Sequence, residues 1–222
     1  MADKLLLLGH RGARHYAPEN TLAAFDLALD HGAHGFEFDV RRTRDLHAVL
    51  VHDAKLHGLV LRRHNLHHLE ERCQRLHHPP PPSLEEVLDR YGRTAFLNIE
   101  VKVRGIEGIV AQAVRRVQPR HYFISSFLPG VVRRLHRLDR NLVLGALAQT
   151  AWQLRRWKVL PAEYVVPHYR LLTPRLMEKL HGAGRKVVTW TVNDPRHMRR
   201  AAELGVDGII SDDTKLLVAT LG

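Results

Sequence analysis

The chain has 222 residues, of which 45% are hydrophobic, and a formal net charge of +11. This length suits one barrel-sized domain spanning residues 1–222, and no apolar run approaches the length of a signal-peptide core or a membrane span, so we expect a soluble, cytoplasmic protein without a transmembrane segment. The single cysteine, Cys73, excludes an internal disulfide and a cysteine metal cluster.

The positive charge favours anionic partners, namely phosphodiesters, nucleic acid or acidic lipid surfaces. The arginines, however, are spread over separate predicted helices and are not interleaved with the aromatic residues of single-strand binders. Examples are Arg115, Arg116, Arg133, Arg134, Arg155, Arg156, Arg199 and Arg200. We expect most of them to lie on solvated helix faces, with no specific nucleic-acid partner.

The first predicted element is a buried strand over residues 5–8, which ends just before His10 and Arg11. Ionisable residues at that position lie at the carboxyl end of a strand. A helix is predicted to start within residues 17–21, because proline is tolerated in a first helical turn and apolar residues then recur at helical spacing. Gly32 is expected to end this helix.

A second strand over residues 35–40 carries two carboxylates, Glu37 and Asp39. Their spacing of two puts both on one face and the apolar residues on the other. Two acids facing the same way in an apolar strand repel each other unless a cation or several donors are present. The alternative is an exposed polar face of an antiparallel strand.

A third short strand is predicted over residues 48–51, after a polar segment. If residues 44–47 form a tight turn, position 42 pairs with 49 and position 40 with 51. This register would place His52 across from Asp39. A second histidine would thereby reach the carboxylate pair.

The segment that follows, about residues 54–82, has no clear periodicity and precedes a predicted helix from Ser83 to about Tyr91. It is rich in histidine and ends in four prolines; the histidines are His57, His64, His67, His68, His77 and His78. A transition-metal site is one interpretation. Because the spacing matches no ligand motif, we favour a mobile loop or short helix covering one side of the fold.

From residue 95 onward, short apolar strands alternate with amphipathic helices. The predicted strands are 95–101, 122–125, 142–147, 163–166, 186–192 and 208–210, and the helices are 106–117, 129–138, 149–159, 174–181 and 195–203. This alternation predicts an α/β fold of the TIM (β/α)₈-like barrel type, with the irregular segment inserted after the third strand. Nine candidate strands compete for eight barrel positions, so either the hairpin ending at residue 52 or strand 163–166 lies outside the barrel.

Within the predicted strand 95–101 and just beyond it, Asn98, Glu100 and Lys102 share one face. A structural ion pair between Glu100 and Lys102 is one interpretation. The other joins Glu100 to the acids of the second strand. Three carboxylates from two strands suit one hard divalent cation, Ca²⁺ or Mg²⁺, whose preferred ligands are oxygens.

Four ordered motifs resemble those of the glycerophosphodiester phosphodiesterase family. They are His-Arg-Gly at 10–12, Pro-Glu-Asn-Thr at 18–21, Glu-x-Asp at 37–39 and His-Asp at 52–53. The resemblance continues at residues 97–102, 125–127, 190–193 and 205–210. Two departures occur: the family usually has Asp-Gly where this chain has Asp45-Leu46, and an Arg-Thr-Thr-x-Gly stretch where this chain has residues 56–59.

The resemblance implies a barrel fold and a metal held by Glu37, Asp39 and Glu100. It implies a small-molecule glycerophosphodiester substrate, such as glycerophosphocholine or glycerophosphoethanolamine, cleaved to glycerol 3-phosphate and an alcohol. Phosphodiester cleavage needs a base, an acid and positive charge, for which the candidates are His10 and His52 with Arg11 and Lys102. Either histidine could be the base.

Two aromatic residues, Phe127 and Trp190, are expected to line the pocket by the same resemblance. Two other functions remain open. A lipid phosphodiesterase acting on lysophospholipids or sphingolipids would need an apolar entrance, and a catalytically silent basic binding protein would not need the acids and both histidines together.

Overall fold

The computed structural model describes residues 5–222, in which a parallel sheet closes on itself. In chain order the strands are β1 (Leu6–His10), β2 (Gly35–Arg42), β3 (Ala48–Leu50), β4 (Lys55–Leu56), β5 (Leu59–Val60), β6 (Phe96–Val101), β7 (His121–Ser126), β8 (Leu144–Ala148), β9 (Tyr164–Pro167), β10 (Lys186–Thr189) and β11 (Gly208–Ser211). Strand β1 pairs in parallel with both β11 and β2, which completes the ring.

Helices separate the barrel strands along the chain. They are α1 (Leu22–Asp30), α2 (Leu66–Arg75), α3 (Leu84–Tyr91), α4 (Glu107–Val117), α5 (Pro129–Leu138), α6 (Ala151–Leu154), α7 (Pro174–Gly182), α8 (Pro195–Glu203) and α9 (Thr214–Leu221). Eight parallel strands with intervening helices confirm the predicted (β/α)₈ barrel. None of the helices in the described part of the chain is long and apolar enough to cross a membrane.

The ninth candidate strand is the hairpin strand β3, which runs antiparallel to the end of β2 and outside the barrel. Strand β9 is a regular barrel member between β8 and β10. The predicted hairpin register is wrong by one residue, because Val40 pairs with Leu50 and Arg42 with Ala48. The N–H of Thr43 donates to the carbonyl of His47, so the loop has three residues instead of four.

Alternation along β2 directs its aromatic residues toward the surrounding helices. Phe36 stacks on Phe25 of α1 with ring centroids 4.1 Å apart, and Tyr91 of α3 meets Phe36 edge-on. All three phenylalanines of this cluster, including Phe38, are fully buried. Because side chains alternate along a strand, Glu37 and Asp39 point to the opposite side, into the barrel.

Helix α1 begins later than predicted. Thr21 is its N-cap and accepts a hydrogen bond from the N–H of Ala24, so residues 18–20 precede the helix. Asn20 adopts a left-handed backbone conformation, with φ of +57°, which is incompatible with a first helical turn. The residues before Thr21 are therefore free to turn toward the barrel.

The insertion at 54–82 contains more regular structure than its sequence pattern indicates. It forms the small hairpin β4–β5, which turns at His57 and Gly58, and then α2, which buries Leu69 and Cys73. His57 and His78 stack with centroids 4.7 Å apart. Within residues 5–222, the histidines of this segment belong to no group of three or more potential metal ligands.

Candidate active site

Polar side chains from several strands meet at the carboxyl end of the barrel. His10 ends β1, Glu37 and Asp39 lie in β2, Glu100 and Lys102 lie at the end of β6, and His52 follows β3. They adjoin a cleft of about 250 Å³ lined by His10, Arg11, Glu37, His52, Asn98, Glu100, Lys102, Phe127, Leu147, Gln149, Trp190 and Ile210. Every predicted site residue except Asp39 lines this cleft, and Asp39 lies behind it in contact with Arg11 and Lys102.

The three acids form one compact cluster. One carboxylate oxygen from each of Glu37, Asp39 and Glu100 lies within 4.8 Å of the others, and all three residues are buried. Burial and the nearby charges of Asp39 and Glu100 raise the pKa of Glu37 well above its ordinary value. Burial likewise raises the pKa of Glu100 to about 6, although Lys102 limits the rise.

Asp39 is the acid that the surrounding cations keep ionised. Burial alone would raise its pKa, but Lys102, Arg11 and a hydrogen bond from Asn20 outweigh it and bring the pKa below its ordinary value. Lys102 Nζ lies 3.1 Å from Asp39 Oδ1 and 2.7 Å from Glu100 Oε1. The predicted ion pair of Glu100 with Lys102 is thus present, within a larger network that includes the acids of β2.

The acid cluster has the composition of a hard-cation site. Glu37 Oε1 is buried and accepts no hydrogen bond from residues 5–222, which is costly for a carboxylate oxygen unless a positive ligand compensates it. All three side chains offer oxygen, the donor atom that Ca²⁺ and Mg²⁺ prefer. The residues present therefore fit a divalent cation.

His10 is held by a residue at the other end of the chain. Its Nδ1 donates to Asp212 Oδ1 at 2.6 Å, and its Nε2 lies 3.9 Å from Glu37 Oε2. Because a carboxylate only accepts, this contact leaves the proton on Nδ1 and the lone pair on Nε2. The pKa of His10 is lowered, mainly because the ring is buried. The lower pKa favours a neutral ring near pH 7.

His52 lies at the more exposed side of the cleft, and 35% of its side chain is accessible to solvent. Its Nδ1 is 2.9 Å from Asp53 Oδ1. Arg41 Nε donates to the carbonyl of His52 at 2.7 Å, which fixes the backbone after β3. Each histidine of the cleft is thus oriented by a neighbouring carboxylate.

Two aromatic rings form part of the apolar lining. Phe127 and Trp190 meet edge-on with centroids 5.5 Å apart, and Trp190 Nε1 donates to the carbonyl of Val166 at 3.1 Å. The latter bond fixes the indole plane. Lys102 Nζ lies 6.0 Å from the Phe127 ring, so the apolar wall adjoins the charged network.

Three residues that support the site were not predicted from the sequence. Glu19 accepts two hydrogen bonds of 2.9 Å from Arg11 Nη1. Asn20 donates to Asp39 Oδ2 and accepts from the N–H of Asp39. Both belong to the Pro-Glu-Asn-Thr motif, which could have indicated a polar role had it not been interpreted as a helix start. Asp212 could have been found as the first ionisable residue after the last strand.

The model of the glycerophosphoryl diester phosphodiesterase family matches residues 10–216. A glycerophosphodiester phosphodiesterase of Caldanaerobacter subterraneus is 32% identical over 236 aligned positions, covering 97% of each chain. One of Bacillus altitudinis is 31% identical and covers 93% of this chain and 94% of its own.

Solved structures are also similar. A phosphodiesterase of Oleispira antarctica, in complex with the product sn-glycerol-3-phosphate, has a TM-score of 0.80 and 26% identity and covers 97% of this chain and 96% of its own. A putative glycerophosphoryl diester phosphodiesterase of Silicibacter pomeroyi has a TM-score of 0.87 and 25% identity, with 100% and 94% coverage. This chain belongs to the glycerophosphoryl diester phosphodiesterase family.

Proposed function

We propose that this protein hydrolyses glycerophosphodiesters, such as glycerophosphocholine or glycerophosphoethanolamine, to glycerol 3-phosphate and an alcohol, with one Ca²⁺ or Mg²⁺ ion. The observation that carries the proposal is the meeting of two carboxylate-oriented histidines and a buried three-acid cluster in one cleft. The product bound by the Oleispira antarctica relative supports glycerol 3-phosphate as the product.

The ion would be held by Glu37, Asp39 and Glu100, and when bound it supplies positive charge to the phosphoryl oxygens. Arg11 and Lys102 line the same cleft and add two further positive charges near the phosphate. Phe127 and Trp190 provide an apolar wall for the carbon atoms of glycerol.

One histidine acts as the base and the other as the acid. His10 is kept neutral by burial and presents the lone pair of Nε2, so it takes the proton of the attacking hydroxyl. That hydroxyl belongs to water, which gives glycerol 3-phosphate directly, or to the glycerol itself, which gives a cyclic phosphodiester that a water molecule then opens to glycerol 3-phosphate. As the new P–O bond forms, the P–O bond to the alcohol breaks, and the more exposed His52 donates a proton to the departing oxygen.

A coupled assay for glycerol 3-phosphate release from deacylated phospholipid headgroups tests this function. We expect turnover with added Ca²⁺ or Mg²⁺ and none in excess chelator. Glu37→Gln should abolish turnover, whereas Glu70→Gln, on the exposed surface of α2, should leave it unchanged. Full turnover in excess chelator would overturn the metal requirement, and no turnover under any condition would leave the silent binding protein as the better description.

A further inference from the structure

An apolar groove adjoins the catalytic cleft. We call it the proline groove, because residues 18–21 line one part of it and residues 79–82 another, together with Leu50, Val51 and Leu56. Its volume is about 230 Å³, similar to that of the cleft. The departure from the family pattern at residues 56–59 contributes Leu56 and His57 to this groove.

The proline groove shares a lining residue with the cleft. His52 lines both the groove and the cleft. Glu19 and Asn20 also line the groove, and they hold Arg11 and Asp39 of the site by hydrogen bonds. A substrate with its phosphate beside His52 could therefore extend a substituent past this residue toward the groove.

The charges around the groove do not favour a cationic headgroup. Among residues 5–222, Glu19 is the one acid that lines it, and its carboxylate is already paired with Arg11 and with Arg14 at 3.1 Å. The stacked rings of His57 and His78 add no negative charge. Choline or ethanolamine would find no free carboxylate, whereas a hydrocarbon chain would be shielded from water by leucine, valine and proline.

We propose that the proline groove binds an alkyl group carried by the phosphodiester substrate and so selects substrates with an apolar substituent. This inference rests on the proposed function. Two sources share this chemistry: the alkyl chain of the departing alcohol, and a chain carried on the glycerol as in a lysophospholipid. The groove supplies the apolar entrance that a lipid phosphodiesterase requires.

The test measures kcat/KM on synthetic glycerophosphoalkanols whose alkanol lengthens from two to eight carbons, alongside glycerophosphocholine. In the series whose chain enters the groove, we expect kcat/KM to rise by up to about fourfold per methylene until the groove is filled, because each buried methylene is stabilised by leaving water. A parallel series with the chain on the glycerol hydroxyl and ethanol as the alcohol distinguishes the two sources. The series with the steeper rise identifies the chain that enters the groove.

Two variants place a charge in the groove: Leu56→Asp and Pro80→Asp, the second at an exposed position that should not affect folding. Both should flatten the chain-length dependence and leave turnover of glycerophosphoethanol unchanged. Leu76→Asp is the control, because Leu76 is 38% exposed on the same insertion and does not line the groove.

The outcomes separate the two proposals. The groove proposal is overturned, while the glycerophosphodiester activity stands, if neither series depends on chain length in the unsubstituted enzyme or if a steep dependence survives Pro80→Asp. Absence of turnover on every substrate, including the shortest, would overturn both.

Discussion

Asn20 combines a backbone role with a side-chain role at the acid cluster. Its φ of +57° turns the chain into α1, while its amide forms two hydrogen bonds with Asp39 of 2.9 and 3.1 Å. Only glycine, asparagine and aspartate adopt this conformation readily, and asparagine alone among them supplies both a donor and an acceptor. The residue therefore links the local turn to the orientation of a candidate metal ligand.

Replacing Asn20 should separate these two roles. Asn20→Gly keeps the backbone conformation and removes the hydrogen bonds, at about 1–3 kcal/mol of unfolding free energy. Asn20→Ala also introduces left-handed strain and should cost about 1 kcal/mol more. Urea denaturation of both variants measures the difference. Equal losses in the two variants would show that the backbone conformation contributes nothing.

The two histidines should give a bell-shaped pH profile of kcat/KM. Burial lowers the pKa of His10, so the acidic limb, on which activity rises with pH as His10 becomes neutral, should lie below the ordinary histidine value of about 6.5. His10→Ala and His52→Ala should each lower the rate about a hundredfold or more. Steady-state kinetics from pH 5 to 9 measure both effects.

The leaving group then distinguishes the base from the acid. An aryl phosphodiester releases a phenolate that needs little protonation, so activity should be rescued in His52→Ala and not in His10→Ala. Rescue of His10→Ala alone would reverse the two assignments. Equal small losses in both variants would mean that the histidines only line the cleft.

Metal affinity should depend on pH through the acids whose pKa values are raised. Burial raises the pKa of Glu100 to about 6 and that of Glu37 well above its ordinary value, and a bound cation requires both carboxylates to be ionised. Below pH 6 each displaced proton should weaken the apparent affinity by about tenfold per pH unit. Calorimetric titration with CaCl₂ or MgCl₂ at pH 5, 6 and 7 checks this, with Glu70→Gln as the control. A pH-independent affinity would place the ion elsewhere.

At this scale strand periodicity predicted that Glu37 shares a face with Asp39 and Glu100 with Lys102, and these four side chains do meet at the carboxyl end of the barrel. It did not predict Asn20 or Asp212. The first depends on a positive φ in a loop, and the second on closure of the barrel, which brings residue 212 beside residue 10. Neither has a periodic signal.

The β2–β3 hairpin shows how an element depends on one turn residue. Leu46 has φ of +66° at the last position of the three-residue loop, where glycine has no steric cost, and 49% of the residue is exposed. The sequence indicated the strands but not the loop length, because no glycine marks the left-handed position. The observed pairing of β2 with β3 therefore differs from the predicted pairing by one residue. His52 nevertheless lies in the cleft.

Leu46→Gly should relieve this turn and raise the free energy of unfolding by about 0.5–1 kcal/mol, since the removed strain exceeds the added entropy of the unfolded chain. Leu46→Ala is the matched control, because it removes the exposed side chain and keeps a Cβ at positive φ. Thermal or urea denaturation measures both. Equal gains in the two variants would assign the effect to the exposed side chain instead of the backbone.

At the scale of the whole molecule, the net charge of +11 comes mostly from residues outside the candidate site. Some arginines have local acidic partners, such as Arg90 with Asp26 and Arg116 with Asp89, on separate helices. We therefore expect DNA binding to be weak, independent of sequence and lost as salt rises toward physiological concentration. Fluorescence anisotropy with two unrelated duplexes at 50 and 200 mM salt tests this. Tight binding at the higher concentration would indicate a nucleic-acid surface.

Closure of the barrel also sets an order in which the site can assemble during translation. The three acids and Lys102 lie within the first half of the chain, whereas the hydrogen bond that orients His10 comes from Asp212, 202 positions later. Strand β1 likewise obtains one of its two neighbours, β11, only after residues 208–211 have been added. A ribosome adds about 5–20 residues per second, so a nascent chain carries its acid cluster for several seconds before His10 is oriented. In the proposed mechanism, proton transfer by His10 therefore becomes possible only after Asp212 has emerged from the ribosome.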